Sequence, residues 1–202
     1  MEEILLETAI CVVAASLLMV VHELSKALAY MAIQRREGTC RKFAHSIWAV
    51  YRYLDPVGML LSVTSSVTFS RPFMFRIQKK RTNLILGITG FLVLLLCFGG
   101  SIFALRCHVF GVQGMITLSG QGLGIKCVTL LIQYLAILSL GMLIANLFPI
   151  STFDMGLVIA GISSQKYLNI IKMDGVIKII FILAVLLNLI HYGSYRVIHL
   201  LL

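Results

Sequence analysis

Residues 20 to 30 read VVHELSKALAY, which sets His22, Glu23 and Lys26 inside an otherwise apolar helix. Two histidines four apart on a helix point the same way and can grip one zinc ion, while a glutamate beside the first activates a metal-bound water. Here the first histidine and the glutamate are present, and Lys26 stands where the second histidine would be. A lysine ligates a metal only after losing its proton. From a reference pKa near 10.4, that loss costs about 4.6 kcal/mol at pH 7 before any gain from the metal. The simpler chemistry keeps Lys26 charged and pairs it with Glu23 or Asp154, the ammonium supplying the counter-charge that a metal ion would otherwise provide.

Asp154 belongs to the stretch NLFPISTFDMG, where Asn146 and Asp154 flank Pro149. Proline removes a backbone donor and breaks the helix there. Ionisable residues inside a membrane are costly and turn toward a partner or a cavity. His22, Glu23, Lys26 and Asp154 are the main such residues, so they are expected to share one site. Ser25, a conceivable partner for Lys26 as a base, is its immediate neighbour and faces away on a helix. His45, His108, His191 and His199 fall at interfaces or loops and read as solvated. Trp48, Tyr51 and Tyr53 read as interface anchors, and Gly87, Gly90, Gly99 and Gly100 as positions that let helices pack closely.

The elements that must position these residues are membrane helices. The chain has 202 residues, one domain's worth, and 59% of them are hydrophobic, against about 45–50% apolar in a soluble domain. Four apolar runs approach or exceed the roughly 20 residues that cross the hydrocarbon core: about Ile4 to Ile33, Thr82 to Leu105, Ile125 to Phe148 and Val176 to Tyr192. The run from Val57 to Phe69 is too short to cross and predicts a re-entrant segment. Before it, SIWAVYRYL is aromatic and β-prone and predicts a strand or hairpin at the interface. No cleavable signal is expected, because Glu2 and Glu3 replace a basic leader and the first run is too long.

The net charge of +9 is distributed in a way that argues against nucleic acid. Arg35, Arg36, Arg41 and Lys42 follow the first run, Arg71, Arg76, Lys79, Lys80 and Arg81 precede the second, and Lys166, Lys172 and Lys178 flank the fourth. The other side carries only Arg106, Lys126 and Arg196, with Glu2, Glu3 and Glu7 beside the N-terminus. That asymmetry predicts cytoplasmic basic loops, an external N-terminus and attraction to anionic lipid. Five cysteines (Cys11, Cys40, Cys97, Cys107 and Cys127) show no metal-ligand spacing. Cys107 and Cys127 flank a glycine-rich external loop, and their pairing is left open.

Taken in order, HELSK, DPVG, SRPFMF and NLFPISTFDMG make the chain resemble the site-2 protease family of intramembrane zinc metalloproteases, in its compact form. The resemblance spans about residues 15 to 160. It implies an all-α polytopic membrane protein in a single domain covering residues 1 to 202, with a C-terminal helical segment over about 176 to 202. The expected core has four spans, a re-entrant segment and a short interfacial β-hairpin. By the same resemblance His22 and Asp154 match zinc ligands and Glu23 the general base. Asn146, Asp55, Pro56, Gly58, Arg71 and Pro72 match the substrate groove and its clamping hairpin. The departures are Lys26 for the second zinc histidine, Tyr53 for the histidine before DPxG, Thr89-Gly90-Phe91 where AGP is usual, and Ser151-Thr152 in the turn before Asp154.

These departures bear on catalysis more than on fold. A catalytic zinc site uses three protein ligands and an open position, and only His22 and Asp154 remain. The expectation is a catalytically inactive or impaired relative that binds a membrane peptide or serves as a subunit of a membrane assembly. It would have no cofactor, with membrane lipid and other membrane chains as partners, in a bacterial cytoplasmic membrane. Two alternatives stay open: an active zinc metalloprotease with an atypical ligand set, and a transport or export accessory protein.

Overall fold

The computed structural model of the chain describes residues 1–36, 47–73, 79–107 and 123–201. Seven α-helices run through these residues: α1 (Glu2–Arg36), α2 (Pro56–Ser65), α3 (Lys80–Arg106), α4 (Leu123–Asn146), α5 (Asp154–Ile162), α6 (Ser164–Leu186) and α7 (Leu189–Leu201). Helices α1, α3 and α4 are long and apolar enough to cross a membrane. The chain thus has the length and composition of a helical integral membrane protein.

The long helices pack through narrow stripes. On α1 the buried residues are Cys11, Ala14, Ala15, Leu18, Met19, His22, Glu23, Lys26 and Ala27, a repeat of three and four that traces one face. Its N-terminal half meets Leu94 of α3 and Leu138 and Met142 of α4 in a hydrophobic core. Val13, Leu17, Val21 and Leu28 point outward, as they should in a helix whose other faces meet lipid. The ionisable residues therefore continue the buried stripe and leave the lipid face apolar.

Helix α5 sits close against α3 because small residues allow it. A side chain on Gly87 would meet Val158, one on Gly161 would meet Leu84, and one on Gly90 would collide with the Asp154 carboxylate. Close backbone approach through such residues is how helices associate where hydrophobic exclusion gives no drive. The expected packing role of Gly87 and Gly90 is met here, while Gly99 and Gly100 have no neighbour within 4 Å.

The short segment after Asp55 is a ten-residue helix, α2. At about 15 Å it is half the thickness of a hydrocarbon core. Asp55 caps it by accepting from the Val57 and Gly58 N–H groups at 2.9 and 3.3 Å, and Pro56 takes the first-turn position whose N–H would be spare. It ends at Ser66, which turns left-handed with φ 53° and lays its carbonyl on Gly141 of α4. Beyond it, Val67 and Phe69 enter a second core with Ala145, Ile150 and Phe181.

Three expectations are corrected. The stretch around SIWAVYRYL is not a strand, and there is no strand among the described residues: Val50–Tyr53 forms a 3-10 turn. That turn buries Tyr53, whose hydroxyl donates to the Ile47 carbonyl and whose own carbonyl accepts from Arg71 N–H at 3.0 Å. Tertiary burial overrides β-propensity there, and it also removes Tyr53 from the interface, leaving the exposed Trp48 and Tyr51 as the anchor candidates. The run from Val176 to Tyr192 is not one helix. Asn188 adopts φ 53°, a conformation asparagine tolerates, and divides the run between α6 and α7. The remainder of the hairpin beginning at Arg71-Pro72, over 74–78, lies outside the described residues, as do His45, Cys40 and His108. Cys107 and Cys127 are both free.

Candidate functional site

His22 and Lys26 lie four residues apart, and Glu23 and Lys26 three apart, so α1 presents all three on one flank. Asp154 arrives from the opposite side. Pro149 and its neighbours end α4 and turn the chain into α5, whose first residue is Asp154. Asn146 fixes this junction from both directions, its amide donating to the Met142 carbonyl at 3.0 Å and its oxygen accepting from the Asp154 N–H at 3.2 Å. The missing side chain of Gly90 leaves the space that the Asp154 carboxylate fills.

The result is a closed cluster. Lys26 Nζ lies 2.6 Å from Glu23 Oε1 and 2.9 Å from Asp154 Oδ1. His22 Nε2 lies 2.7 Å from Asp154 Oδ2, and His22 Nδ1 lies 3.0 Å from Ser70 Oγ and 3.3 Å from Glu23 Oε1. Ser70 donates its hydroxyl proton to Glu23 Oε1 at 2.8 Å, and the Phe73 N–H donates to Glu23 Oε2 at 3.1 Å. All four ionisable residues are buried, none more than 2% exposed. At such a depth each polar atom needs a partner, and each carboxylate oxygen here has one.

Hydrogen-bond bookkeeping fixes the charge of the cluster. Ser70 spends its proton on Glu23, so its oxygen accepts from His22 Nδ1–H. The Nε2–Asp154 contact then requires a second proton on that pair. One ammonium and that extra proton offset two carboxylates, and the whole cluster is neutral. A neutral, fully bonded quartet is the form in which these groups are tolerated away from water.

The donor set does not fit a tetrahedral zinc. Only His22 and Asp154 bring lone pairs in the ligand positions, and the third corner is filled by an ammonium, which has donors and no acceptor. Among the described residues, no three His, Cys, Asp or Glu side chains converge as a metal-holding group. No family model matches this chain. No curated protein and no solved structure matches it either.

Of the residues singled out in the sequence, His22, Glu23, Lys26 and Asp154 meet directly, with Asn146 bonded to the Asp154 backbone. Asp55, Pro56 and Gly58 build the start of α2, and Gly58 lets Phe69 and Met19 pass close. Arg71 is exposed and Pro72 half-buried, one and two residues beyond Ser70. Ser151 is held from the far side, its N–H by Asp174 at 3.0 Å and its carbonyl by the Tyr167 hydroxyl at 3.3 Å. His191 is half-buried and bonds Ser66 at 3.0 Å, so it is not simply solvated. Two contributors were missed: Ser70 and the Phe73 amide. The usable signal was Pro72, which favours extended backbone before it and so lets this segment run along α1.

Proposed function

We propose that this chain is a catalytically inert, site-2 protease-like membrane protein that serves as a subunit of a membrane assembly or binds a membrane peptide. One observation carries the reading: the Lys26 ammonium bonds both Glu23 and Asp154 and stands where the resemblance calls for a lone-pair ligand to a water-activating metal. Glu23 is engaged by Lys26, Ser70 and the Phe73 amide, so both oxygens of the would-be base are already bonded to the chain's own donors. His22 and Asp154 bond each other, and zinc is absent from the working protein on this account.

The test is a cleavage assay on transmembrane peptides with the purified chain in lipid. Wild type should show no turnover above background, with or without added zinc. Glu23→Gln should change stability and leave that background where it was. Zinc-dependent cleavage that disappears in Glu23→Gln would make the protein an enzyme and end the proposal.

The same reading supplies a topology. The basic ends of α1 and α3 face the cytoplasm, the Glu3–Lys126 pair at 2.7 Å marks the external end, and α6 makes a fourth crossing. A membrane-impermeant thiol reagent should label Cys107, exposed at the end of α3, in intact cells. Labelling of Cys107 only after permeabilisation would invert the topology.

A further inference from the structure

The 3-10 turn Val50–Tyr53 has two sides. Inward it buries Tyr53, whose hydroxyl donates to the Ile47 carbonyl. Outward it leaves Trp48 64% and Tyr51 75% exposed, with the exposed Arg52 beside them. The Tyr53 carbonyl accepts from the Arg71 N–H at 3.0 Å, which sets the exposed Arg71 next to this turn. Arg71 is held from behind as well. Its neighbour Ser70 donates to Glu23 at 2.8 Å and bonds His22 at 3.0 Å. Aromatic rings and cations are thus presented from adjoining backbone that is pinned to the buried core.

The chain's carboxylates leave Arg71 without an ion-pair partner among the described residues. Of the eight acidic residues, Glu2, Glu3 and Glu7 lie at the far end of α1, and Glu23 and Asp154 belong to the quartet. Asp174 takes Lys178, Asp55 caps α2, and Glu37 is outside the described residues. Helix α3 runs antiparallel to α1, with Leu94 packed beside Leu18 and Gly90 beside the quartet. The end that carries Arg71 therefore also carries Arg35 in the last turn of α1 and Lys80 and Arg81 in the first turn of α3. Its cations outnumber its carboxylates, and an anion from outside the chain must answer them.

The aromatic rings select among anions. Exposed tryptophan and tyrosine settle at the headgroup level of a bilayer, where amphipathic rings meet both apolar and polar groups. The exposed Val57 and Leu60 of α2, just beyond the turn, add apolar surface that suits an acyl chain. We propose that Arg71 and the Trp48–Arg52 turn form a binding site for an anionic phospholipid, with its phosphate on Arg71 and the rings of Trp48 and Tyr51 beside it. The site does not depend on the chemistry of the quartet. Attraction from net charge alone would be shared by every exposed cation, whereas this patch concentrates it at one place.

Trp48 is the chain's single tryptophan, so its fluorescence reads this site alone. The experiment places the full-length chain in liposomes where a rising fraction of either phosphatidylglycerol or phosphatidylcholine carries brominated, quenching acyl chains. In wild type, half-maximal quenching should need about fivefold less brominated phosphatidylglycerol than brominated phosphatidylcholine. Arg71→Gln keeps the N–H that bonds Tyr53 and should bring the two lipids close to parity, while Arg71→Lys should keep the preference. Lys172→Gln, at an exposed cation of α6, should leave the preference unchanged. Equal quenching by both lipids in wild type overturns the proposal, as does a preference that Arg71→Gln leaves intact. A loss in Lys172→Gln as large as in Arg71→Gln overturns it too, because the attraction would then belong to net charge. Displacement of the brominated anionic lipid by soluble polyglutamate would make the occupant an acidic protein segment and overturn it equally.

Discussion

Replacing Lys26 with methionine should cost the folded state about 3–5 kcal/mol, the range seen when one partner of a buried ion pair is removed. Methionine matches the apolar stem of lysine, so packing is nearly kept and the loss is electrostatic. Glu23 loses a contact at 2.6 Å and Asp154 one at 2.9 Å, and the cluster goes from neutral to a net negative charge in a site closed to water. Thermal or denaturant unfolding in detergent should show the drop directly. Two further variants separate the cause. Glu23→Gln removes one negative charge and should cost less alone than Lys26→Met does. The double variant Glu23→Gln/Lys26→Met should recover part of the loss, because the unpaired carboxylate is what destabilises the single one. An unchanged midpoint for Lys26→Met would mean that the cluster is hydrated and its charges independent.

Lys26→His should make stability depend on zinc. The change removes the ammonium and puts an imidazole four residues after His22, on the same flank and facing Asp154, so three lone-pair donors now share the centre. Without metal the variant should be weaker than wild type, for the reason given for methionine. With zinc at about a thousand times its dissociation constant, binding to the folded state alone should return roughly 4 kcal/mol. The readout is the unfolding midpoint with chelator and with zinc, and wild type is the control that should show no difference. A variant indifferent to zinc would mean that His22 and Asp154 cannot open the 2.7 Å contact between them to admit a metal.

The quartet was legible because its grammar is local. The spacing of His22, Glu23 and Lys26 fixes one flank of a helix, and membrane burial leaves Asp154 few places to go. The spans of α1, α3 and α4 were legible from length and composition alone. What was not legible depends on contacts that no pattern carries. Ser70 and the Phe73 amide reach Glu23 only because the extended segment after α2 folds back on α1. Tyr53 looks like an interface aromatic and is buried, since its hydroxyl and carbonyl both find backbone partners. The apolar run after Val176 reads as one span, and a single left-handed Asn188 divides it. Gly90 read as a packing glycine, but its particular partner, the Asp154 carboxylate, appears only when α3 and α5 are placed together.

Whether an ammonium has taken the place of a metal is decided most directly by the zinc content of the wild-type protein. The full-length chain should be purified without chelator from cells grown with zinc, and its metal measured by elemental analysis beside Lys26→His. Wild type should hold no stoichiometric zinc, and the histidine variant should hold zinc. One zinc per wild-type chain, lost on Asp154→Ala, would contradict it.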